Sequence, residues 1–230
     1  KLMSYNIRNG IGIDNIQDIG RIARVILREA PDLVALQELD SATLRVDGRY
    51  IPGELGRMTG MHATFGRAIG FAGGSYGVGL LSRTEPLAVR SIPLPGREEA
   101  RVLLMAEFPD YTVCVTHLSL TPEDRHASLP LILQATDTCR KPVLLAGDFN
   151  TGDAAAVLAG LGGGFRILSD TTRMTFPSDN PAVRIDYILG RGLPTSATVT
   201  ESAVDHTATA SDHCPLWVTL AWKRGKQPRK

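Results

Sequence analysis

Residues 143–151 read VLLAGDFNT. An apolar run enters Gly147, and Asp148, Phe149, Asn150 and Thr151 close the stretch. The front half has the length and apolar density of a strand covered on both faces. The back half puts a carboxylate and an amide where that strand ends. Side chains in a strand alternate with period two, so Asp148 and Asn150 are expected to point the same way, with Phe149 turned oppositely into packing. The competing reading is an Asx-type turn into the helix that DAAAVLAGL (153–161) announces.

Further strand-like runs flank this one. LMSYNI (2–7) and LVALQ (33–37) precede it, with MHATFG (61–66), GVGLLS (77–82), LAVRSI (87–92), VLLMAEF (102–108) and YTVCVTHL (111–118) following at hairpin-length gaps. RIDYILG (184–190), ATVTESA (197–203) and PLWVTLAW (215–222) come after it. Apolar residues at Ile16, Ile19, Ile22, Ala23, Ile26, Leu27 and Ala30 have helical spacing, with a capping box expected at Asp14 and Gln17 and a stop at Pro31. A short helix is expected over 53–60. Another should start at Thr121, with Pro122 in first position and Asp124 completing a box, and run to about Cys139 with a kink at Pro130. FAGGSYGVG (71–79) lacks GxxxxGK[ST] and precedes a strand, so it is no phosphate cradle; a mobile loop is expected there. Strand runs outnumber helices, and hairpins mix with helix-connected strands. The pattern implies an α+β fold of two mostly antiparallel or mixed sheets packed together with helices outside. With no repeat and no linker, one domain is expected over 1–222, followed by a polar basic tail, KRGKQPRK (223–230), expected to be disordered.

The composition excludes several classes. The 230 residues carry 25 basic and 24 acidic side chains, a net charge of +1, so no field of one sign would draw in a polyanion or a membrane surface. Cys114, Cys139 and Cys214 are widely spaced and form no C-x-x-C pair, which argues against a thiolate zinc site or a disulfide framework. No run approaches the roughly 18 apolar residues of a membrane helix. The opening KLMSYNI is too short and polar for a signal peptide, so a cytoplasmic location is expected unless an upstream segment has been removed.

Polar residues at strand ends carry the chemistry. Asn6 follows LMSY, Glu38 follows LVALQ, His117 follows TVCVT, Asp148 and Asn150 follow VLLAG, Asp186 sits in RIDYIL, and Asp212 and His213 precede CPLWVTL. A carboxylate in an apolar strand is costly unless paired or bound to metal, so several of them imply strand ends converging on one cleft. Each also has a plain reading: Asn6 as a turn residue, His117 as a core histidine, Asp186 as a partner for Arg184, Asp212 with Ser211 as a turn. Oxygen donors from Asn6, Glu38, Asp148, Asn150 and Asp212 suit Mg²⁺ or Mn²⁺ better than zinc. A histidine paired with aspartate, beside a second carboxylate, can move protons during phosphate-ester hydrolysis. His62, His126 and His206 lack such a context, and Arg125 reads as a solvated residue near a helix start.

YNIRNG, DLVALQE, GVGLLSR, VCVTHL, LLAGDFNT, TFPS with RIDYIL, and SDHCPLWV stand in this order over nearly the whole chain. In that set the chain resembles the endonuclease/exonuclease/phosphatase superfamily of metal-dependent phosphohydrolases. The resemblance implies a four-layer α/β/β/α sandwich. It implies Glu38 as principal metal ligand, with Asn6 assisting and Asp212 as a second metal-side carboxylate, for Mg²⁺ or Mn²⁺. It implies Asp148 orienting or deprotonating the attacking water beside Asn150, His213 as catalytic histidine with Asp186 fixing its tautomer, and His117 contacting phosphate as in the deoxyribonuclease-like and sphingomyelinase-like branches. Arg8, near Asn6, is a further candidate for phosphate contact. The expected activity is phosphodiester hydrolysis on a small or lipid-derived substrate, with no obligate protein partner. A nuclease on the same site is the alternative, and a binding module that has lost its chemistry is a third reading.

Overall fold

The computed structural model describes residues 1–162 and 164–222, and the expected tail at 223–230 lies outside them. Twelve strands are described: β1 (Leu2–Asn6), β2 (Leu33–Ser41), β3 (His62–Phe71), β4 (Gly74–Ser82), β5 (Ala88–Leu94), β6 (Arg101–Glu107), β7 (Thr112–His117), β8 (Val143–Asp148), β9 (Arg166–Ile167), β10 (Asp186–Arg191), β11 (Thr198–Val204) and β12 (Leu216–Ala221). Four helices accompany them: α1 (Ile19–Glu29), α2 (Ile51–Thr59), α3 (Pro122–Asp137) and α4 (Ala154–Leu161). The strands form two six-stranded sheets, in the orders β11-β12-β1-β2-β4-β3 and β5-β6-β7-β8-β10-β9. Both are mixed. β1 and β2 pair in parallel, as do β7 and β8, while the other neighbours are antiparallel. Helical crossovers, α1 after β1 and α3 after β7, are what allow the two parallel pairs.

Three separate apolar interfaces define four layers. Leu2, Leu33, Ala35 and Leu80 of one sheet meet Leu104, Val115, Leu144 and Ile188 of the other. On the first sheet's outer face, Met3, Tyr5, Val34 and Leu36 pack with Ile22 and Ile26 of α1 and Leu55 of α2. On the second, Leu103, Cys114, Leu145 and Leu189 pack with Leu129 and Ile132 of α3 and Val157 of α4. Strands covered on both faces are buried at every position, as LMSYN and VLLAGD are, and so are mostly apolar along their length. The four-layer sandwich with helices outside is therefore the observed architecture. Cys114 and Cys214 are buried free thiols, and Cys139 is half-buried. Among the described residues no helix is long and apolar enough to cross a membrane.

Several local expectations are corrected. α1 starts at Ile19, not Ile16. Its cap is Asp18, whose Oδ1 accepts from the N–H groups of Gly20 (2.7 Å) and Arg21 (3.3 Å). Asp14 instead closes a turn onto Ile16 N and pairs with Arg21, leaving Ile16 60% exposed. We expect Asp18→Ala to cost about 1 kcal/mol of stability, read as a fall in Tm of about 2–4 °C. An equal or larger fall for Asp14→Ala would contradict this cap. The box at Thr121 and Asp124 does not form either. The Thr121 hydroxyl donates to Glu98, and Asp124 accepts from Arg97 N, so both residues tie α3 to the β5–β6 connection. α3 runs from Pro122 to Asp137 with Pro130 inside it, close to the expected extent. The expected mobile loop at 71–79 is a hairpin: β3 and β4 join across Ala72 and Gly73, both at positive φ, as a two-residue hairpin turn requires.

Candidate active site

Both parallel pairs end at the same edge of the sandwich. Asn6, His117 and Asp148 are the last residues of β1, β7 and β8, and Asp186 is the first of β10. His117 and Asp186 are the register partners of Asp148 on its two sides. One carboxylate thus lies at the centre of a row of three polar groups, each on the face that points between the sheets.

Glu38 reaches this edge by a backbone device. In β2, Leu33 and Ala35 face the other sheet while Val34 and Leu36 face the helices. Plain alternation would aim Glu38 at the helices as well. A bulge between Leu36 and Leu39 intervenes, with Glu38 at φ 60°, and Leu39 resumes on the helix side. A non-glycine residue in that region costs of order 1 kcal/mol; bulges beside active sites re-aim a side chain in this way.

The polar groups meet in one pocket. Asn6 Nδ2 donates to Glu38 Oε1 and to Asp148 Oδ2, at 3.1 Å each. Its Oδ1 accepts from Arg8 N at 3.1 Å. Asn6 presents its nitrogen to the two acids and braces them. Asp148 Oδ2 lies 3.5 Å from His117 Nε2 and 3.6 Å from His213 Nε2. His213 Nδ1 lies 2.9 Å from Asp186 Oδ2, so Asp186 is paired with His213 and not with Arg184. The ring of Phe176 packs on His213 with centroids 4.8 Å apart. Asp212, on the rim, pairs with Arg8 at 3.5 Å.

Asn150 is placed differently from expectation. The strand ends at Asp148, and Asn150 has φ 52°, so period-two alternation does not reach it. Its N–H closes an Asx turn onto Asp148 Oδ1 (2.8 Å), and its Nδ2 donates to Leu118 O (2.8 Å). The turn and the site are the same structure: the amide locks Asp148 and leaves its own oxygen as the free polar atom. Phe149 is buried as expected.

Burial and charge set the proton affinities. Burial alone would lower His213, but Asp186 reverses this, Asp148 and Asp212 add to it, and the imidazole is carried up to about 10. Burial takes His117 down to about 4, with Arg101 and His213 adding and Asp148 opposing. Glu38 is raised by burial, with Asp212 and Asp148 adding and the Asn6 bond opposing. Asp148 is raised by burial and by Asp186. At neutral pH the site thus holds an imidazolium at His213 and a neutral ring at His117.

Some supporting residues were not foreseen. Ser211 Oγ donates to Asn6 O at 2.7 Å, joining the Asp212–His213 loop to the end of β1. Thr175 Oγ1 accepts from the N–H groups of Ile185 and Asp186. Glu98 grips the segment after His117 through Ser119 Oγ and Leu120 N. Ser211 and Thr175 stand in stretches already singled out, SDH and TFPS. Glu98 has no local signal, because its partners lie 21 and 22 residues away.

Comparison with known proteins gives the chain's family and fold relatives. The Endonuclease/Exonuclease/phosphatase family matches residues 3–213. No curated protein sequence matches the chain. Among solved structures, the chain is similar to the endonuclease/exonuclease/phosphatase from Bacteroides vulgatus, at 19% identity over 96% of this chain and 98% of that one, with a TM-score of 0.78. It is similar to a mannosyl-6-phosphatase from Bacteroides thetaiotaomicron, at 18% identity over 96% and 99%, TM-score 0.72. It is also similar to D. rerio TDP2 complexed with a single-strand DNA product, at 23% identity over 96% and 98%, TM-score 0.70. At these identities the structural likeness is one of fold, and the family match covers nearly the whole chain. The chain belongs to the endonuclease/exonuclease/phosphatase family, a family of phosphoester hydrolases.

Proposed function

We propose that the protein is a divalent-metal-dependent phosphoester hydrolase, acting first on diesters, with Mg²⁺ or Mn²⁺ as cofactor. The observation that carries this reading is the position of Asp148: buried, within 3.6 Å of two imidazoles, and bridged by Asn6 to Glu38.

The donor set fits a hard cation. Glu38 and Asp148 repel each other and are both raised, and Asp212 adds a third carboxylate to the same field. Glu38 and Asp212 would hold the ion, with Asn6 keeping Glu38 in place. When bound, the ion polarises a phosphoryl oxygen and stabilises the leaving oxygen. The rest belongs to the chain. Asp148 orients a water and takes its proton. The His213 imidazolium, oriented through Nδ1 by Asp186, faces the phosphate with Nε2 and stabilises the charge that builds in the transition state. Neutral His117 donates a single hydrogen bond to a phosphoryl oxygen. The Asn150 oxygen is left for the attacking water, and Arg8 contributes a guanidinium at the rim.

The test is hydrolysis of bis(p-nitrophenyl) phosphate and of a panel of nucleic-acid, lipid and small phosphoesters, with Mg²⁺ or Mn²⁺ and with EDTA. Turnover should require the ion and stop on chelation. A folded protein with no metal-dependent turnover on any member would overturn the proposal. A nuclease reading would show as DNA or RNA affinity that falls steeply with salt.

A further inference from the structure

The two histidines of the site are held differently. His213 is oriented through Nδ1 by Asp186 at 2.9 Å. The ring of His117 has a looser tie, with its Nε2 3.5 Å from Asp148. Backbone pairing also runs out beside it. β8 pairs with β7 as far as His117, whereas β6 pairs with β7 only as far as Thr116. Leu118 N donates to Asp148 O at 2.9 Å, and beyond that bond the chain leaves the sheet. A strand end with a neighbour on one side frays unless something else holds it. A functional imidazole needs its position fixed to within ~0.5 Å.

Glu98, in the β5–β6 connection, supplies that hold. Its Oε1 accepts from Ser119 Oγ (2.7 Å), Leu120 N (2.8 Å) and Arg101 Nη2 (3.1 Å). Its Oε2 accepts from Ser119 Oγ (2.8 Å) and Thr121 Oγ1 (3.2 Å). Consecutive residues after Leu118 thus close on one carboxylate. Burial opposes its ionisation, but the bonds from Ser119, Leu120 and Arg101 carry the carboxyl down to about 2, so the clamp stays charged at neutral pH. Arg101 gives the same carboxylate a second link to the histidine. Its guanidinium is buried, pairs with Glu99 through Nη1 (3.1 Å), and lines a narrow crevice together with His117 and Tyr76. A buried cation that loses one of its carboxylates is left undercompensated and costly. Glu98 therefore steadies both the chain that carries His117 and the cation that flanks its ring.

We propose that Glu98 is a positioning residue for His117, and that its clamp on Ser119, Leu120 and Thr121 sets where the imidazole meets the phosphate. Among the described residues Glu98 bonds none of Asn6, Glu38, Asp148 or His213, so it acts through His117. The proposal rests on the phosphoester-hydrolase reading and adds a residue to it. The competing role is plain stability, since Arg97 and Asp124 join the same connection to α3 through bonds of 2.7 and 3.1 Å.

The experiment measures kcat and KM for bis(p-nitrophenyl) phosphate in the Mn²⁺-loaded protein, and records the His117 ring signals of the ¹⁵N-histidine-labelled protein in EDTA. Glu98→Ala should lower kcat about 10- to 100-fold, the scale of a misplaced reacting group, with little change in KM. Glu98→Gln keeps the Oε1 acceptor and should recover most of that loss, because the clamp supplies geometry and not net charge. In a His117→Ala background, Glu98→Ala should cost nothing further, as for two residues that act as one unit. An equal loss in both backgrounds overturns the proposal. So does full kcat in a folded Glu98→Ala protein whose Tm alone has fallen. The ring signals keep this result apart from a failure of the hydrolase reading. Sharp His117 signals in the parent and in Glu98→Gln, broadened or doubled in Glu98→Ala, support the clamp even where the parent turns over no ester. Identical signals in Glu98→Ala overturn it. If Glu98→Ala does not fold, Ser119→Ala, which removes the Oγ bonds and leaves the Arg101 pair, takes its place in each comparison with the same results expected and the same results overturning the proposal.

Discussion

Replacing His213 by alanine is expected to lower kcat on the most active phosphoester about a thousandfold, within the range for losing a positioned proton-transfer or charge-stabilising group. KM should change little, because the imidazolium is proposed to act where charge develops and not in holding the ground state. The same variant carries a second signature, in stability. The folded His213 pKa, about 10, lies above the unfolded value of 6.5. The folded protein therefore binds a proton more tightly than the unfolded chain does. The stabilisation is complete below pH 6.5 and is lost as pH rises toward 10. In EDTA, His213→Ala should thus destabilise the protein more at pH 6 than at pH 10, as measured by urea unfolding. Unchanged kcat would remove His213 from the mechanism. A pH-independent stability loss would show that its pairing with Asp186 is not the source of the raised affinity for protons.

Glu38→Gln is expected to have the other large effect, with activity and stability moving in opposite directions. Removing the proposed principal metal ligand should lower kcat/KM on the order of a hundredfold or more at a fixed ion concentration. The Mg²⁺ or Mn²⁺ concentration needed for half-maximal activity should rise as well, and calorimetry should show weakened ion binding. The stability prediction follows from the same carboxylate. Burial, with Asp212 and Asp148 adding, raises Glu38 above its ordinary value of 4.5. Here too the folded state holds the proton more tightly, so stability is full below pH 4.5 and falls as pH rises through the folded pKa. At neutral pH in EDTA, Glu38→Gln should therefore be more stable than the parent. That is the usual relation between an active-site charge and the fold that holds it. Unaltered ion affinity in Glu38→Gln would move the metal site elsewhere in the pocket.

The two expectations also separate the halves of the site. His213 belongs to the second sheet's side of the pocket through Asp186 and Asp148, and Glu38 belongs to the first sheet. Asn6 is the joint between them, donating to an acid on each sheet. A variant there should loosen both halves together, whereas the two substitutions above act on one half each.

Much of this architecture was legible from residue order alone. LVAL and VLLAG are continuous apolar runs because strands covered on both faces have no polar side, and that pattern implies two-sided burial. The ends of the apolar runs carry the acids, amides and imidazoles that meet in the pocket, since a charge ending an apolar strand has to be paired or used. What stayed hidden was decided by packing and backbone. The bulge that turns Glu38 away from the helices depends on pairing with Gly79 and Gly77 of β4, far along the chain. The left-handed turn at Asn150 breaks the alternation that a strand pattern assumes. The start of α1 went to Asp18 because Asp14 found Arg21. Glu98 carried no motif, and its grip on the segment after His117 comes from partners that meet only when the β5–β6 connection packs beside it. Periodicity and strand-end chemistry are local properties of a chain. Which donor meets which acceptor across two sheets is a property of three-dimensional closure, and only the folded structure settles it.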